Sequence, residues 1–547
     1  MADDSTSGGP PPPTVVLFPF MAQGHLNPFL DLARLLAVRS PSLSITIVST
    51  PATTLSLRPR FLRRHPSVHF ADLSVHLPSH STDALSTPAA VSHFYRTSHS
   101  LLSGPFLRLL RSLPCPPTCV VSDMFLAFAV DAAHTVGSKH VTLYTSGPFA
   151  MSIYNSIWSY FPHKKKNMDD DDADVIIRLP GLPDSITVER SQISENMNRA
   201  DPDDPSCWFA KRQAELNRGS DGSLWNTVEL GAPTPQRNQM NIMSLSRIKL
   251  TASVSIRVPV LFSLPLLDTL GSNVQLELVL EKSSLEYWAE NSFDGEPKPV
   301  WAIGPLLPLS EKEYERGGKV PGMSPAEIVE WLDQNPPKST IYVSFGSQNS
   351  IPRPQMRELA RGLELSNQPF IWVLRNPTGI NIEDEFQSEW LPEGFVERMR
   401  ETQQGLLVRN WAPQIEILSH GSIGAFLSHC GWNSVLESLS RGVPLIGWPL
   451  GSEQFYNAKL LVEELGACME VARGFDAAVN GEELAGKVRE AVAGEAAEEM
   501  RRRVERLSVE MRRAVEEVDG VKGSSLRALD EFLGILPTWN NEVSPCG

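Results

Sequence analysis

The chain has 547 residues, a formal net charge of −15 and a sequence pI of about 5.4, with 41% apolar and 21% charged side chains. That length exceeds what one hydrophobic core commonly supports, so two domains are expected, and the composition excludes wholesale disorder and fibrous architectures. The acidic balance, without a Lys/Arg-rich face or arm to neutralise a run of phosphates, excludes nucleic acid as a partner.

Residues 1–13 hold aspartates, small residues and a proline run, and read as a disordered tail; no basic segment precedes an apolar one, so no secretory signal is expected. Thr14–Phe20 (TVVLFPF) is a β-branched and aromatic run. After MAQGH, Leu26, Phe29, Leu30, Ala33 and Leu36 recur at helical spacing, giving strand, tight loop and helix. Further strands are expected at Leu43–Val48, Thr118–Val121 and His140–Tyr144, with helical segments between several of them, which implies a parallel, doubly wound sheet.

The regularity then breaks. No acidic residue occurs between Glu229 and Asp268, and Gly231–Gln275 keeps neither helical nor strand period for long. Removing these roughly 45 residues would join SLWNTVEL to the helical LELVLEKSSLEYWAE, so 231–275 reads as an anomalous insertion, either a gene-model artefact or a genuine surface loop. Its most apolar part, Val258–Leu267, falls well short of the ~20 residues that span a bilayer, and no membrane span is expected.

Pro-containing stretches at 295–308 and 317–325 read as linker and surface loop. The alternation restarts at Ser339–Phe345, continues with a helix at Gln355–Leu365 and a strand at Phe370–Leu374, and adds strands near Leu406, Ala425 and Pro444. The expected fold class is therefore α/β, with two Rossmann-like domains facing a cleft. The boundaries read as 14–298 and 299–519, followed by a C-terminal helix and tail at 520–547 that returns to the first domain.

Six cysteines (Cys115, Cys119, Cys207, Cys430, Cys468, Cys546) are scattered without paired spacing, and no Asn-x-Ser/Thr acceptor occurs, so reduced thiols and a cytoplasmic location are expected. Cys115 and Cys119 lack a second Cys/His pair, and no DxD-like cluster accompanies the strands, so no metal is expected. The charged run Lys164–Lys166 and Asp169–Asp172 reads as solvated surface.

The chemistry concentrates in Trp411–Gln454. A sugar nucleotide offers a flat base, two ribose hydroxyls, a diphosphate and a polyhydroxyl ring, and WAPQIEILSHGSIGAFLSHCGWNSVLESLSRGVPLIGWPLGSEQ supplies an aromatic, carboxylates and polar groups in that order. His429–Ser434 (HCGWNS) follows an expected strand and opens an expected helix, where free backbone N–H groups and the helix dipole attract phosphate. His25 sits at the first strand-helix junction, where the helix N-terminus favours a neutral, proton-accepting ring.

The 44-residue block Trp411–Gln454 is similar to the signature box of plant UDP-dependent glycosyltransferases, opening Trp-Ala-Pro-Gln, containing His-Cys-Gly-Trp-Asn-Ser and closing Glu-Gln. The resemblance implies the fold known as GT-B, with an acceptor-binding first domain and a UDP-sugar-binding second. By that resemblance Trp411 stacks on uracil and Ala412 and Gln414 reach its polar edge, a stack worth roughly 1–3 kcal/mol. His429, Asn433 and Ser434 contact phosphate, with Ser347 after the strand STIYVSF as an extra contact. Glu437 accepts from the ribose, Trp432 faces the sugar, and Glu453 and Gln454 bind its hydroxyls, Gln454 favouring glucose. His25 is the implied base, Asp123 in VVSDMF its carboxylate partner, and Thr145 in YTSGP a contact to the donor sugar.

The implied reaction is inverting transfer of a sugar, glucose by preference, to a hydroxyl of a small lipophilic acceptor by a monomer that needs no metal or other cofactor. Two alternatives stay open: a non-catalytic sugar-nucleotide-binding protein, which retention of His25 and Asp123 opposes, and a nicotinamide-dependent oxidoreductase, which lacks its GxGxxG. The acceptor pocket is expected from unmotifed loops such as Pro78–Tyr95 and Ile186–Asn198.

Overall fold

The computed structural model describes residues 12–543 except 63–64, 66, 76, 78–87, 165–174, 195–196, 199–204, 230–278, 291–295, 308–320, 382–383 and 475–476. The suspected insertion at 231–275 and most of the charged run after Lys164 lie outside the described residues.

The first domain is built on seven parallel strands: β1 (Thr14–Phe18), β2 (Ser44–Ser49), β3 (Val68–Asp72), β4 (Cys119–Asp123), β5 (Lys139–Tyr144), β8 (Gly222–Trp225) and β9 (Val300–Ala302), with a small antiparallel pair, β6 (Ile176–Arg178) and β7 (Thr187–Glu189), outside that sheet. The strand order is β3-β2-β1-β4-β5-β8-β9. Alternation along β1 explains the layering. Val15 and Leu17 point into one core with Leu26, Leu30 and Leu36 of the helix Gln23–Arg39, while Val16 and Phe18 point into another with Phe94, Leu102 and Phe106 of the helix Pro88–Ser112. A strand buried on both faces needs no polar side, which is why it reads as a continuous apolar run.

The second domain repeats the plan with six parallel strands, β10 (Thr340–Ser344), β11 (Phe370–Leu374), β12 (Gly405–Arg409), β13 (Ile423–Ser428), β14 (Leu445–Gly447) and β15 (Cys468–Glu470), ordered β12-β11-β10-β13-β14-β15. Ile341 and Val343 face one core and Tyr342 the other. A hairpin, β16 (Glu517–Val518) and β17 (Val521–Lys522), precedes the last helix, Ser524–Glu542. Two α/β halves of Rossmann type thus flank a cleft, in agreement with the expected class.

Three expectations need correction. The strand Val300–Ala302 belongs to the first sheet, pairing with β8, so that domain does not end at 298; Trp301 is buried there against Phe532 of the last helix, with ring centroids 5.3 Å apart. From Pro88 onward the presumed loop at Pro78–Tyr95 is helix, with His93 and Ser100 exposed on one side while Phe94, Leu102 and Phe106 are buried on the other. Cys119, Cys430 and Cys468 are buried free thiols, but Cys115 is disulfide-bonded, so thiols are not free throughout.

The last helix packs on the first domain. Leu529, Phe532, Leu536 and Trp539 enter the core that holds Val15 and Leu17, and Arg39 forks onto Asp530 at 2.8–3.1 Å. No helix among the described residues is long and apolar enough to cross a membrane.

Candidate active site

β1, β4 and β5 are adjacent parallel strands, and their carboxyl ends lie where the strand order switches direction, the position at which open α/β sheets gather ligands. His25 follows β1 in the first turn of its helix, Asp123 ends β4, and Thr145 follows β5. The pairing Phe18↔Ser122 brings residues 98 apart in sequence into contact: His25 Nδ1 lies 2.8 Å from Asp123 Oδ2. Asp123 is fully buried, and its other oxygen accepts the Phe125 backbone N–H at 2.9 Å, so the carboxylate is fixed from both sides. Phe20 and Phe125 hold the imidazole, with ring centroids 5.7 and 5.1 Å away. With Nδ1–H donated to Asp123, Nε2 carries the lone pair, the arrangement of a general base.

Thr145 was expected at the donor sugar. Its hydroxyl lies 3.2 Å from His25 Nδ1, and the residue lines the same cavity.

That cavity, about 220 Å³, runs between the domains and is lined by His25 and Thr145 on one side and by Ser347, Trp411, Ala412, Gln414, His429, Trp432, Asn433, Ser434, Glu437, Glu453 and Gln454 on the other. The sequence-derived residues of both domains therefore share one space. On the second domain's side β10 and β13 end together, and the helix Trp432–Ser440 opens at the cavity with no side-chain cap at Gly431. Its first N–H groups are those an anion would take.

His429 is sandwiched there. A Cβ at Gly346, whose φ is +73°, would sit 2.6 Å from the ring, and one at Gly431 would sit 2.4 Å from it. Burial, with the Arg375 charge adding to it, lowers this imidazole to about 4, so it is neutral near pH 7. Its Nδ1 is buried without a protein partner, a polar atom that a ligand could satisfy.

Gln414, Ser434 and Glu437 form one network: the Gln414 amide donates to Glu437 Oε2 at 2.7 Å and to Ser434 Oγ at 3.0 Å, and Tyr342 donates to Gln414 Oε1 at 3.3 Å. At the far end Gln454 Oε1 accepts the Leu450 and Gly451 N–H groups at 2.9 and 3.1 Å, which leaves its NH2 as the group to offer a sugar hydroxyl. Burial pushes the Glu453 carboxyl up, against the opposing pull of His25 and of the Ser146 hydroxyl.

Two residues of the box turn toward the other domain. The Trp432 indole N–H donates to the Asn226 carbonyl at 2.6 Å, and Asn433 Nδ2 donates to the Gly24 carbonyl at 2.6 Å. Both line the cavity, but these polar atoms are committed to the first domain. Sequence reasoning missed Asn226, which carries no motif, and the cavity walls Met124, Phe125, Met151 and Tyr154, which read as ordinary core residues. Among the described residues no group of three or more His, Cys, Asp or Glu is placed to hold a metal ion.

Comparison with known proteins bears on this geometry. A family profile described as "UDP-glucoronosyl and UDP-glucosyl transferase" matches residues 319–503, and one described as "Glycosyltransferase, N-terminal domain" matches 13–163. UDP-glycosyltransferase 92A1 of Arabidopsis thaliana is 33% identical over 536 residues, covering 95% of this chain and 96% of its own. The chain belongs to the plant family 1 UDP-glycosyltransferases.

Another relative in this family is crocetin glucosyltransferase 3 of Crocus sativus, 34% identical across 82% of this chain and 84% of its own. Among solved family 1 structures, Glycyrrhiza uralensis UGT73P12, complexed with glycyrrhetinic acid 3-O-monoglucuronide, is similar with a TM-score of 0.74 and 27% identity, covering 97% of this chain and 96% of its own. Medicago truncatula UGT71G1, complexed with UDP-glucose, gives 0.71 and 25%, covering 96% and 98%. The fold is GT-B, and the chain is a UDP-glycosyltransferase that moves a sugar from a UDP donor to a small acceptor.

Proposed function

We propose that the enzyme transfers glucose from UDP-glucose, with inversion, to a hydroxyl of a small lipophilic acceptor such as a flavonoid, terpenoid, hormone or other phenol. The observation that carries this reading is that His25, bonded to the buried Asp123, lines the same cavity as Glu453 and Gln454.

In this reading the first domain holds the acceptor against Met124, Phe125, Met151 and Tyr154, and the second holds the UDP-sugar. His25 Nε2 takes the acceptor hydroxyl proton while that oxygen attacks the anomeric carbon; the bond from that carbon to the diphosphate oxygen breaks, and UDP leaves with the electron pair. Asp123 stabilises the imidazolium that forms. Charge developing on the diphosphate meets the N-terminus of the helix Trp432–Ser440 and the neutral His429. Attack from the face opposite the leaving group turns an α-linked donor into a β-glycoside. The Gln454 amide NH2 supports glucose by offering a donor to a ring hydroxyl.

A donor-by-acceptor screen read by mass spectrometry, with the anomeric configuration of the product assigned by NMR, tests this. Preference for UDP-glucose and a β-linked product are expected. Preference for UDP-galactose or UDP-glucuronate would overturn the donor assignment, and an α-linked product would overturn inversion.

A further inference from the structure

Asn226 lies just beyond the end of β8 and is fully buried, yet every polar group on it is used across an element boundary. Its Oδ1 accepts the Leu306 backbone N–H at 2.7 Å, on the segment by which the chain leaves the first domain. Its Nδ2 donates to Asn433 Oδ1 at 3.3 Å, and Asn433 Nδ2 in turn donates to the Gly24 carbonyl, the residue before His25, at 2.6 Å. The Asn226 backbone carbonyl accepts the Trp432 indole at 2.6 Å. Gly304 permits this close approach, since a Cβ there would lie 2.5 Å from Thr227 N and 2.9 Å from Asn226 Oδ1.

The direction of this chain of amides is set at both ends. Leu306 N–H can only donate, so the Asn226 atom facing it must be the carbonyl oxygen; the Gly24 carbonyl can only accept, so the Asn433 atom facing it must be the NH2. Between them the two side chains fit in one orientation only. We propose that Asn226 is a positioning residue of the transferase: acting through Asn433, it fixes the height of the His25 turn above the donor helix, and so the distance between the base and the sugar. A misplacement of about 1 Å between reacting groups can cost on the order of 10²-fold in rate. The inference rests on the family's transferase reaction and not on the choice of glucose.

Asn226→Asp is isosteric and tests the relay most directly. The carboxylate can still accept from Leu306 but cannot donate to Asn433, which must then turn its oxygen toward the Gly24 carbonyl. The measurements are kcat and KM with the best donor and acceptor of a panel, the Kd for UDP by calorimetry, and thermal unfolding, for Asn226→Asp, Asn226→Ala, Asn433→Ala and the double alanine variant. With folding intact, kcat falls about tenfold or more in each single variant. The UDP Kd of the Asn226 variants stays within about threefold, because Asn226 is not among the residues that line the cavity, whereas Trp411, Gln414 and Glu437 are. The double variant is no worse than about twofold below the poorer single, as coupled residues require.

A folded Asn226→Asp with kcat within about twofold of wild type overturns the proposal, as does a double variant whose losses multiply. Should the buried Asn226 variants fail to fold, Asn433→Ala, partly exposed at the cleft, carries the test through the split between kcat and binding: a kcat at saturating donor that falls about tenfold while the UDP Kd weakens less supports the relay, and a loss confined to KM and the UDP Kd overturns it. A wild type that prefers another UDP-sugar changes the donor used in the assay and leaves the relay under test.

Discussion

His25 Nδ1, in the first helical turn after β1, and Asp123 Oδ2, at the end of the neighbouring strand β4, stand 2.8 Å apart, and the second Asp123 oxygen is held by the Phe125 N–H. Removing either member therefore has a different signature. His25→Ala should lose roughly 10²–10⁴-fold in kcat while UDP binding persists. Asp123→Asn keeps the shape but presents an amide to Nδ1, favouring the tautomer with the proton on Nε2. A comparable kcat loss without loss of fold is expected from steady-state kinetics and circular dichroism.

The glycine pair around His429 is a steric device. Gly431→Ala would place a methyl 2.4 Å from the imidazole, and the buried ring has little room to retreat. Calorimetry with UDP should show affinity weakened by about tenfold or more, with the first domain's melting transition little changed.

Gln454 divides its amide between the Leu450–Gly451 backbone and the cavity. Gln454→Glu keeps the acceptor oxygen for the loop and removes the donor for the sugar. KM for the UDP-sugar should rise about tenfold while the Kd for UDP alone, which lacks the sugar, shifts far less.

Arg473 bridges the domains, with Nε and Nη2 on Glu189 at 2.8 and 2.9 Å and further contacts to Glu463 and Glu470 at 2.9 Å each. Its side chain is about a third exposed, so solvent screening limits its value. Arg473→Met leaves three carboxylates facing one another, and a fall of a few degrees in Tm, larger at low salt than at high, is expected from thermal melts.

Buried neutral histidines set the acid limit of stability. Burial takes His140 to about 3, and His163 and His429 to about 4, whereas each sits near 6.5 when unfolded. Between those values the unfolded chain binds more protons, so stability is complete above pH 6.5 and drains as pH falls, by at most about 1.4 kcal/mol per pH unit per histidine. Glu453, pushed up by burial, acts in the opposite sense. Melting curves from pH 7 to 4 should show the decline, and His140→Gln should flatten its slope if the mutant folds.

What the sequence makes legible follows from how local each signal is. β1, β4, β5, β10 and β11 are buried on both faces and rich in apolar side chains, so they stand out, but β9 and β15 have three residues each and are anchored by distant partners such as Phe532. The helix Pro88–Ser112 hides behind its Ser and His content and the internal Pro105. In the site, the donor residues are readable because they lie in one contiguous block built around a single strand-helix junction. The double duty of Trp432 and Asn433 is not, since Asn226 lies more than 200 residues away and marks itself by burial alone.

The return of the last helix to the first domain gives the molecule two crossings instead of one, and they touch: the Ser525 hydroxyl donates to the Gly304 carbonyl. A single tether would let the donor half swivel in any direction, like a ball on a cord. Two crossings bonded to each other leave the donor half less free to swivel than one would.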